Sequence, residues 1–262
     1  MDQEFGICRL SVVPVRHSDS DKSEMVNQLL FGEHYTVLEK SKNRTWLKIN
    51  NHFDGYEGWI SSNQHSGISL DYFEQVNNSD YKITLEVTSN ILFKKNRMPI
   101  LLGSILPIAT NELFKMEEQL AYNGNAKSLS QRYQVEQMIE IARKYLDAPY
   151  LWGGKSPFGI DCSGFTQMVF KIGGYKLKRD ASQQINQGWV IDKLSAAIPG
   201  DLVFFENAIS GSAHVGIVME EQQVIHASGK VRIDTLTEDG IFNEEWNKTT
   251  HKLTGIRRIT RK

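Results

Sequence analysis

Cys162 is one of only two cysteines in the 262-residue chain, and it does not stand among apolar neighbours. It lies between Asp161 and Ser163 in the segment GIDCSGFTQMVF, where an apolar stripe at helical spacing begins. The pattern predicts a helix that starts at Cys162, with Asp161 as its N-cap. The free N–H groups and partial positive charge of a helix N-terminus lower the pKa of a thiol and can hold an oxyanion. Because the Asp161 charge opposes the first effect, a nucleophilic Cys162 also needs a basic partner.

Two histidines fit the role of that partner: His214 in SAHVGIVM and His226 in QVIHASG. Both segments have the composition of strands, and the turn between them is short, so an antiparallel pair would place the two imidazoles side by side. A cysteine, a histidine and a third polar group that orients the imidazole form the general pattern of an activated thiol nucleophile.

Two other interpretations of these residues stay open at this level. A single cysteine is more often an inert buried residue, as Cys8 in ICRLSV is expected to be. One cysteine with two histidines could also bind zinc, but the CxxC or HxxxH spacing of zinc sites is missing. We therefore predict no metal and no organic cofactor.

The elements that must position these residues change in type along the chain. The segment QVEQMIEIARKYLDAPY predicts a helix that ends before Pro149, and the helix at Cys162 should end at Gly173–Gly174. The runs DLVFFE, HVGIVMEE, QVIHASG, VRIDTL and LTGIRRI then predict strands. Helices followed by an antiparallel sheet define an α+β domain, which we place at residues 126–262.

Short β-prone runs dominate the rest of the chain. We expect one small β-barrel over residues 1–66 and a second of the same type over residues 67–125, with the polar stretch 123–130 as a linker. Within the first barrel, SEMVNQLL predicts one helical turn, with Ser23 as a possible N-cap.

Composition excludes several classes of partner. With 30 basic and 31 acidic residues and a pI near 6.7, the chain gives no electrostatic case for binding nucleic acid or an anionic membrane surface. The longest apolar stretch, at residues 100–109, is too short to span a bilayer. The N-terminal segment of the chain, MDQEFGICRL, lacks a signal-peptide pattern, so we expect a cytoplasmic protein. A chain from which a signal peptide had been removed would look the same.

Several motifs occur together and in order: APYLWGGKSPFGIDCSGFTQMVF, RDASQQ, IPGDLVFF, HVGIVM and VIHASG. In this combination, residues 131–262 resemble the NlpC-type cell-wall cysteine peptidases, which are papain-like α+β hydrolases that cut peptidoglycan stem peptides. With SEMVNQLLFGE and GYEGWI upstream, the two predicted barrels resemble the bacterial SH3-like domains of γ-D-glutamyl–L-diamino-acid endopeptidases. That subgroup recycles murein peptides and requires a free N-terminal L-alanine on its substrate.

The resemblance implies a role for each matching residue. It implies Cys162 as the nucleophile, His214 as the general base and acid, and His226 as the residue that orients His214. It further implies that Tyr150 lies near the scissile carbonyl and that the peptide is bound by the following side chains: Asp161 and Glu24 at the alanine ammonium, Tyr56 at the same end, and the hydroxyls of Ser163 and Ser182.

Structural roles would also explain most of the binding residues. Asp161 could be only an N-cap, Ser182 could cap a helix, and Glu24 could stabilise the first turn of its own helix. Tyr56 and Trp59 in GYEGWI could be ordinary barrel core.

Three functions follow from these patterns. The first is a recycling endopeptidase acting on free L-Ala-γ-D-Glu-diamino acid peptides. The second is a secreted hydrolase that remodels polymeric wall, and the third is a wall-binding protein without catalysis. The sequence sets neither the oligomeric state nor the identity of the diamino acid.

Overall fold

The structure is a computed structural model that describes residues 3–109, 114–115, 120–207, 211 and 213–260. The chain divides into two compact units. Unit 1 comprises Met1–Gln131 together with Trp152–Pro157, and unit 2 comprises Arg132–Leu151 and Phe158–Lys262. The chain therefore leaves unit 2 for six residues, immediately before the segment that carries Cys162, and then returns to it.

The first barrel of unit 1 is a seven-stranded sheet with the strand order β3-β2-β6-β5-β4-β1-β7. Its strands are β1 Glu4–Ile7, β2 Val12–Arg16, β3 Met25–Leu30, β4 His34–Lys40, β5 Trp46–Asn51, β6 Glu57–Ser61 and β7 Gly67–Ile68, with a 3-10 turn at Ser62–Gln64. Alternate residues of β2 and β5 are buried, as expected for strands with one face on a core. That core contains Cys8, Tyr35 and Ile49.

A helix leads from the first barrel to a second set of strands. It is α1 Leu70–Asn78, and the Ser69 side chain accepts a hydrogen bond from the Tyr72 N–H at its N-cap. The strands that follow are β8 Tyr81–Thr84, β9 Thr88–Phe93, β10 Asn96–Leu101, β11 Ile105–Ala109, β12 Phe114–Lys115, β13 Leu120–Tyr122 and β14 Ala126–Ser128. They form a four-stranded and a three-stranded sheet around a common core that includes Ile91, Ile100 and Phe31 of the first barrel. Parts of the block predicted as β-rich, at 110–113 and 116–119, lie outside the described residues.

Two local predictions for unit 1 are wrong. The segment SEMVNQLL contains strand β3 rather than a helical turn, since residues Met25–Leu30 pair with β2. The last four residues of β3 are all buried, so no alternation distinguishes strand from helix in this sequence. The stretch predicted as a linker contains β14, which pairs with β8 and so belongs to the second barrel.

Unit 2 has the α+β order predicted from the sequence. Its elements are α2 Val135–Arg143, β16 Gly159–Ile160, α3 Cys162–Ile172, α4 Ala181–Gln184, β17 Trp189–Val190, β18 Leu202–Asn207, β19 Ala213–Val218, β20 Gln223–Ser228, β21 Lys230–Thr237, β22 Gly240–Asn243 and β23 Lys248–Arg258, with a 3-10 turn at Leu194–Ala196. The short strand β15 Lys155–Ser156, which precedes β16 in the chain, belongs to unit 1.

The sheet of unit 2 closes on itself. Its strand order is β17-β23-β18-β19-β20-β21-β22, and β22 also pairs with β23. Apolar residues from these strands, among them Val203, Phe205 and Leu236, form one core. Helix α3 is buried along its whole length and packs against α2, β19 and β20. The N-terminus of α3 is thereby held beside the strands that carry the two predicted histidines. Among the described residues, no helix is long and apolar enough to cross a membrane.

Candidate active site

Cys162 is the first residue of α3, and the helix begins as the sequence predicts. The Asp161 side chain accepts a hydrogen bond of 2.7 Å from the Gly164 N–H, which makes it the N-cap. The sulfur lies where the backbone N–H groups of Val215 and Ser163 can stabilise its thiolate. Val215 directly follows His214 in β19, so the packing of α3 on this strand places the Cys162 sulfur at the backbone next to His214.

His214, His226 and Asp234 form a hydrogen-bonded series behind Cys162. His214 Nε2 lies 2.8 Å from His226 Nδ1, and His226 Nε2 lies 2.9 Å from Asp234 Oδ2. The two imidazoles are buried and perpendicular to each other, with their ring centroids 5.0 Å apart. Since Nε2 of His214 is engaged with His226, Nδ1 is the ring nitrogen left for another partner.

A third histidine, His251 of β23, closes one side of this group. Its ring stacks on that of His214, with the centroids 4.3 Å apart and the planes 30° from parallel, and its Nδ1 lies 2.9 Å from Thr250 Oγ1. Phe205 flanks His214 with a centroid separation of 6.2 Å. These contacts hold the His214 ring in one plane. Among the described residues, no three His, Cys, Asp or Glu side chains are arranged to hold a metal ion.

Burial keeps the histidines neutral. Desolvation, followed by the charges of His226 and His251, holds the pKa of His214 well below its ordinary value. Desolvation also lowers the pKa of His226, although Asp234 partly opposes this effect, and it lowers the pKa of His251 to about 4. His214 is therefore a neutral imidazole at neutral pH, which is the form that a general base requires.

Burial opposes the effect that the helix N-terminus is expected to have on the pKa of Cys162. Burial and then the Asp161 charge raise the pKa of the thiol to about 12, and the N–H groups of Val215 and Ser163 offset only part of this. The side chain is 7% exposed, so desolvation outweighs the partial charge of the helix N-terminus. Both shifts favour a neutral thiol at Cys162 and a neutral imidazole at His214.

Asp161 has a partner that the sequence analysis did not include. The buried Arg179 guanidinium donates two hydrogen bonds to the Asp161 carboxylate, from Nη1 to Oδ1 at 2.9 Å and from Nη2 to Oδ2 at 2.6 Å. Arg179 Nη1 also donates to Ser163 Oγ at 2.9 Å, so the predicted residues Asp161 and Ser163 lie in one network. Asp161 is therefore part of a buried ion pair as well as the N-cap of α3.

Tyr150 lies close to Cys162 and Asp161, and its place near a scissile carbonyl stays a prediction. Burial and the charges of Cys162 and Asp161 raise the pKa of its phenol, so the hydroxyl stays a hydrogen-bond donor across the physiological range. The backbone at Tyr150 is fixed by a bond of 2.9 Å from its N–H to the Gly229 carbonyl. Such a donor suits the oxyanion of an acyl-transfer reaction.

Ser182 is exposed in α4, and its place in a peptide site stays a prediction. The alternative that Ser182 caps a helix is wrong, because α4 begins at Ala181 with Asp180 at the N-cap position. Helix α4 packs against α3 and β19, the two elements that carry Cys162 and His214.

The two predicted residues of the first barrel, Glu24 and Tyr56, belong to unit 1. Glu24 directly precedes β3, so it does not stabilise a helix, and its carboxylate accepts a hydrogen bond from Trp152 Nε1 in the same unit. Tyr56 is half-buried before β6, as is Trp59 within it, so neither residue belongs to the buried barrel core. Their contribution to substrate binding stays a prediction.

Sequence reasoning missed three functional neighbours: Arg179, Asp234 and His251. Asp234 was the easiest of these to find, since Arg232 and Asp234 alternate along the predicted strand VRIDTL and must share one face. Arg179 begins the motif RDASQQ, but the sequence does not indicate its partner, and nothing local distinguishes His251. The partners of both residues come from other elements.

Comparison with known proteins agrees with this arrangement. Residues 147–253 match the NlpC/P60 family, and residues 15–64 match the bacterial dipeptidyl-peptidase SH3 domain. A γ-D-glutamyl-L-lysine dipeptidyl-peptidase of Bacillus subtilis (strain 168) is 28% identical over 93% of this chain and 82% of its own length. Dipeptidyl-peptidase 6 of Lysinibacillus sphaericus is 26% identical over 82% of this chain and 86% of its own.

A solved structure shares the whole fold. An NlpC/P60 family protein from Bacillus cereus ATCC 10987 superimposes with a TM-score of 0.81, at 20% identity, over 97% of this chain and 99% of that one. The fold and the NlpC/P60 match define the class of the protein, a papain-like cysteine peptidase. Residues 147–253 thus form an NlpC/P60 domain, and residues 15–64, ahead of it, form a bacterial dipeptidyl-peptidase SH3 domain.

Proposed function

We propose that the protein is an endopeptidase that hydrolyses the γ-D-glutamyl–L-diamino acid bond of murein-derived peptides. The observation that carries the proposal is the series Cys162–His214–His226 in an NlpC/P60 domain that follows a dipeptidyl-peptidase SH3 domain. Two relatives that align with most of this chain bear the names γ-D-glutamyl-L-lysine dipeptidyl-peptidase and dipeptidyl-peptidase 6.

The reaction follows from the neutral resting site. His214 Nδ1 takes the proton of the Cys162 thiol as the sulfur attacks the γ-carbonyl carbon of D-glutamate. The Cys162 backbone N–H and the Tyr150 hydroxyl hold the oxyanion. His214 then delivers the proton to the amine of the diamino acid, which leaves, and a thioester remains on Cys162. His214 next takes a proton from water, the resulting hydroxide attacks the thioester, and the dipeptide acid is released as the proton returns to the sulfur.

The requirement for a free amino terminus is the finer part of the proposal. Asp161 is a buried carboxylate beside Cys162, and it would receive the alanine ammonium. Arg179 already pairs with Asp161, so the ammonium would meet an ion pair rather than a lone carboxylate. We therefore expect Asp161→Asn to weaken this selection for a free amine, called the amine gate below, only in part.

One pair of substrates tests both parts. Mass spectrometry would follow L-Ala-γ-D-Glu-L-Lys and its N-acetylated form, with Cys162→Ala as the inactive control that retains peptide binding. Cleavage of the free peptide alone supports the peptidase and the amine gate. Cleavage of both peptides supports the peptidase activity and contradicts the requirement for a free amine. Cleavage of neither favours a peptide-binding protein.

The cellular role is tested by the size of the substrate. We place the protein in the recycling of free stem peptides in the cytoplasm, because a gate for a free amine would exclude stems still attached to glycan. Purified sacculi should therefore yield no dipeptide under conditions that consume the free tripeptide. Release of dipeptide from sacculi would favour a wall-remodelling hydrolase instead. Replacing lysine by meso-diaminopimelate in the tripeptide reports which diamino acid is preferred.

A further inference from the structure

The Asp234 carboxylate is surrounded by hydrogen-bond donors at the far end of the histidine series. Its Oδ2 lies 2.9 Å from His226 Nε2, and its Oδ1 accepts from Arg232 Nη2 at 3.0 Å and from Asn243 Nδ2 at 3.3 Å. Arg232 Nε is also 2.9 Å from Oδ2, as an ion-pair contact without hydrogen-bond geometry. The Asp234 side chain is only 7% exposed. A carboxylate held in this way is fixed in position and in rotation.

The sheet itself creates this contact. In the β20–β21 pair His226 stands directly opposite Arg232, and Asp234 lies two residues further along β21 on the same face. The diagonal neighbours of an antiparallel pair are within reach of a long or aromatic side chain, which here is the imidazole of His226. The series therefore depends on the register of two strands and not on a mobile loop.

The protonation of Asp234 is set by its surroundings. Burial by itself would raise the pKa of this carboxyl, but the hydrogen bond and charge of His226 and the charge of Arg232 hold it below its ordinary value. Asp234 is thus ionised at neutral pH. The other charged group near this cluster, Glu245, lies 3.8 Å from Arg232 Nη1 and is 71% exposed, so it is solvated and contacts the guanidinium rather than an imidazole.

An ionised carboxylate can only accept hydrogen bonds, which fixes the positions of two further protons. His226 must carry its proton on Nε2 to donate to Asp234, so its Nδ1 is an acceptor. His214 must then carry its proton on Nε2 to donate to His226, so its Nδ1 holds a lone pair. We propose that Asp234 is a positioning residue that sets the tautomers of both His226 and His214, and so selects His214 Nδ1 as the base for Cys162.

Asp234→Asn keeps the shape of the side chain, removes its charge and replaces one acceptor oxygen with a donor NH2 group. Two side chains, Arg232 and Asn243, donate to the Oδ1 position, so the carboxamide oxygen should occupy it and the NH2 group should face His226 Nε2. His226 would then move its proton to Nδ1, and His214 would follow. The lone pair of His214 would point away from Cys162, as in a serine-protease triad with its aspartate changed to asparagine.

The test combines kinetics with a direct measurement of the tautomers. For Asp234→Asn we expect kcat to fall about 100-fold or more, with KM changed less than about threefold, because base catalysis is lost while the peptide site is kept. Asp239→Asn is the matched control, since Asp239 is an exposed aspartate in the turn after β21. Asp234→Glu, which keeps the charge, should recover part of the loss.

Nitrogen-15 NMR of histidine-labelled protein, without substrate, reports which ring nitrogens are protonated, and single His→Gln variants assign the signals. The expected wild-type result is a proton on Nε2 of both His214 and His226, which moves to Nδ1 of both in Asp234→Asn. A wild-type His214 protonated on Nδ1, or an Asp234→Asn variant with unchanged tautomers and kcat, would overturn the proposal. If Asp234→Asn does not fold, the protonated nitrogens of His214 and His226 in the wild-type spectrum test the proposal by themselves.

This inference rests on the proposed peptidase mechanism, yet the two can fail separately. If the tripeptide is not cleaved by the wild-type protein, the proposed function is wrong, whereas the NMR measurement still reports whether Asp234 sets the two tautomers.

Discussion

The pH at which Cys162 becomes a thiolate is the sharpest test of how this site works. The thiol is 7% exposed, and burial with the Asp161 charge raises its pKa to about 12 from an ordinary value of 9.0. At pH 8 the thiolate fraction would then be about 10⁻⁴, against about 10⁻¹ for an unperturbed thiol. Alkylation, which requires the thiolate, should be slower by roughly three orders of magnitude for this reason alone.

The assay is the rate of iodoacetamide modification between pH 6 and 9.5, followed by intact-protein mass spectrometry. A Cys8→Ser variant leaves Cys162 as the single thiol, and Cys162→Ser provides the background from Cys8, whose pKa burial also raises to about 12. The rate at Cys162 should rise about tenfold for each pH unit, without a plateau, because the thiolate fraction does. His214→Gln should leave this slope unchanged.

A preformed thiolate–imidazolium pair would give a different result. The rate would then be high and nearly constant from pH 6 upwards, and His214→Gln would lower it most at acidic pH. That outcome would refute the argument that desolvation outweighs the helix N-terminus at Cys162. It would also mean that His214 is protonated at rest.

Two further predictions concern stability. Lys155→Met should lower the free energy of unfolding by about 3–5 kcal/mol, because it leaves the Glu33 carboxylate buried without the ammonium now 2.9 Å away, and a urea denaturation shift below 1 kcal/mol would contradict this. Gly240→Ala should destabilise far more than Gly229→Ala in thermal melts. Both glycines have positive φ, but a Cβ at Gly240 would lie 1.8 Å from the His251 carbonyl oxygen, whereas one at Gly229 meets nothing within 4 Å. Equal decreases in Tm for the two variants would show that the backbone at Gly240 and His251 moves to make room for the Cβ.

Local signals in the sequence were sufficient for the core of the site. An N-cap residue before an apolar stripe determines where α3 begins, so the placement of Cys162 and Asp161 needed no distant partner. The two short strands around a tight turn likewise predicted that His214 and His226 meet, and the structure confirms it. The α+β order of the peptidase domain followed from the same periodicities.

Predictions from local sequence patterns were wrong where strand pairing determined the conformation. Met25, Leu29 and Leu30 fit one face of a helix, yet β3 forms because β2 offers a partner and both faces of the strand become covered. The stretch predicted as a linker joins the second barrel for the same reason, through the pairing of Ala126–Ser128 with β8.

The sequence by itself therefore determined the class of chemistry and the α+β fold class of the peptidase domain, and it predicted a nucleophile and a base, because these depend on residue types at short spacing. Only the tertiary structure decided the electrostatics. Whether Cys162 is a thiol or a thiolate depends on burial. The partners of Asp161 and His226, which are Arg179 and Asp234, come from other elements. The pKa or tautomer of a side chain depends on all the groups around it in space, whereas a linear motif contains only residues that are adjacent in the chain.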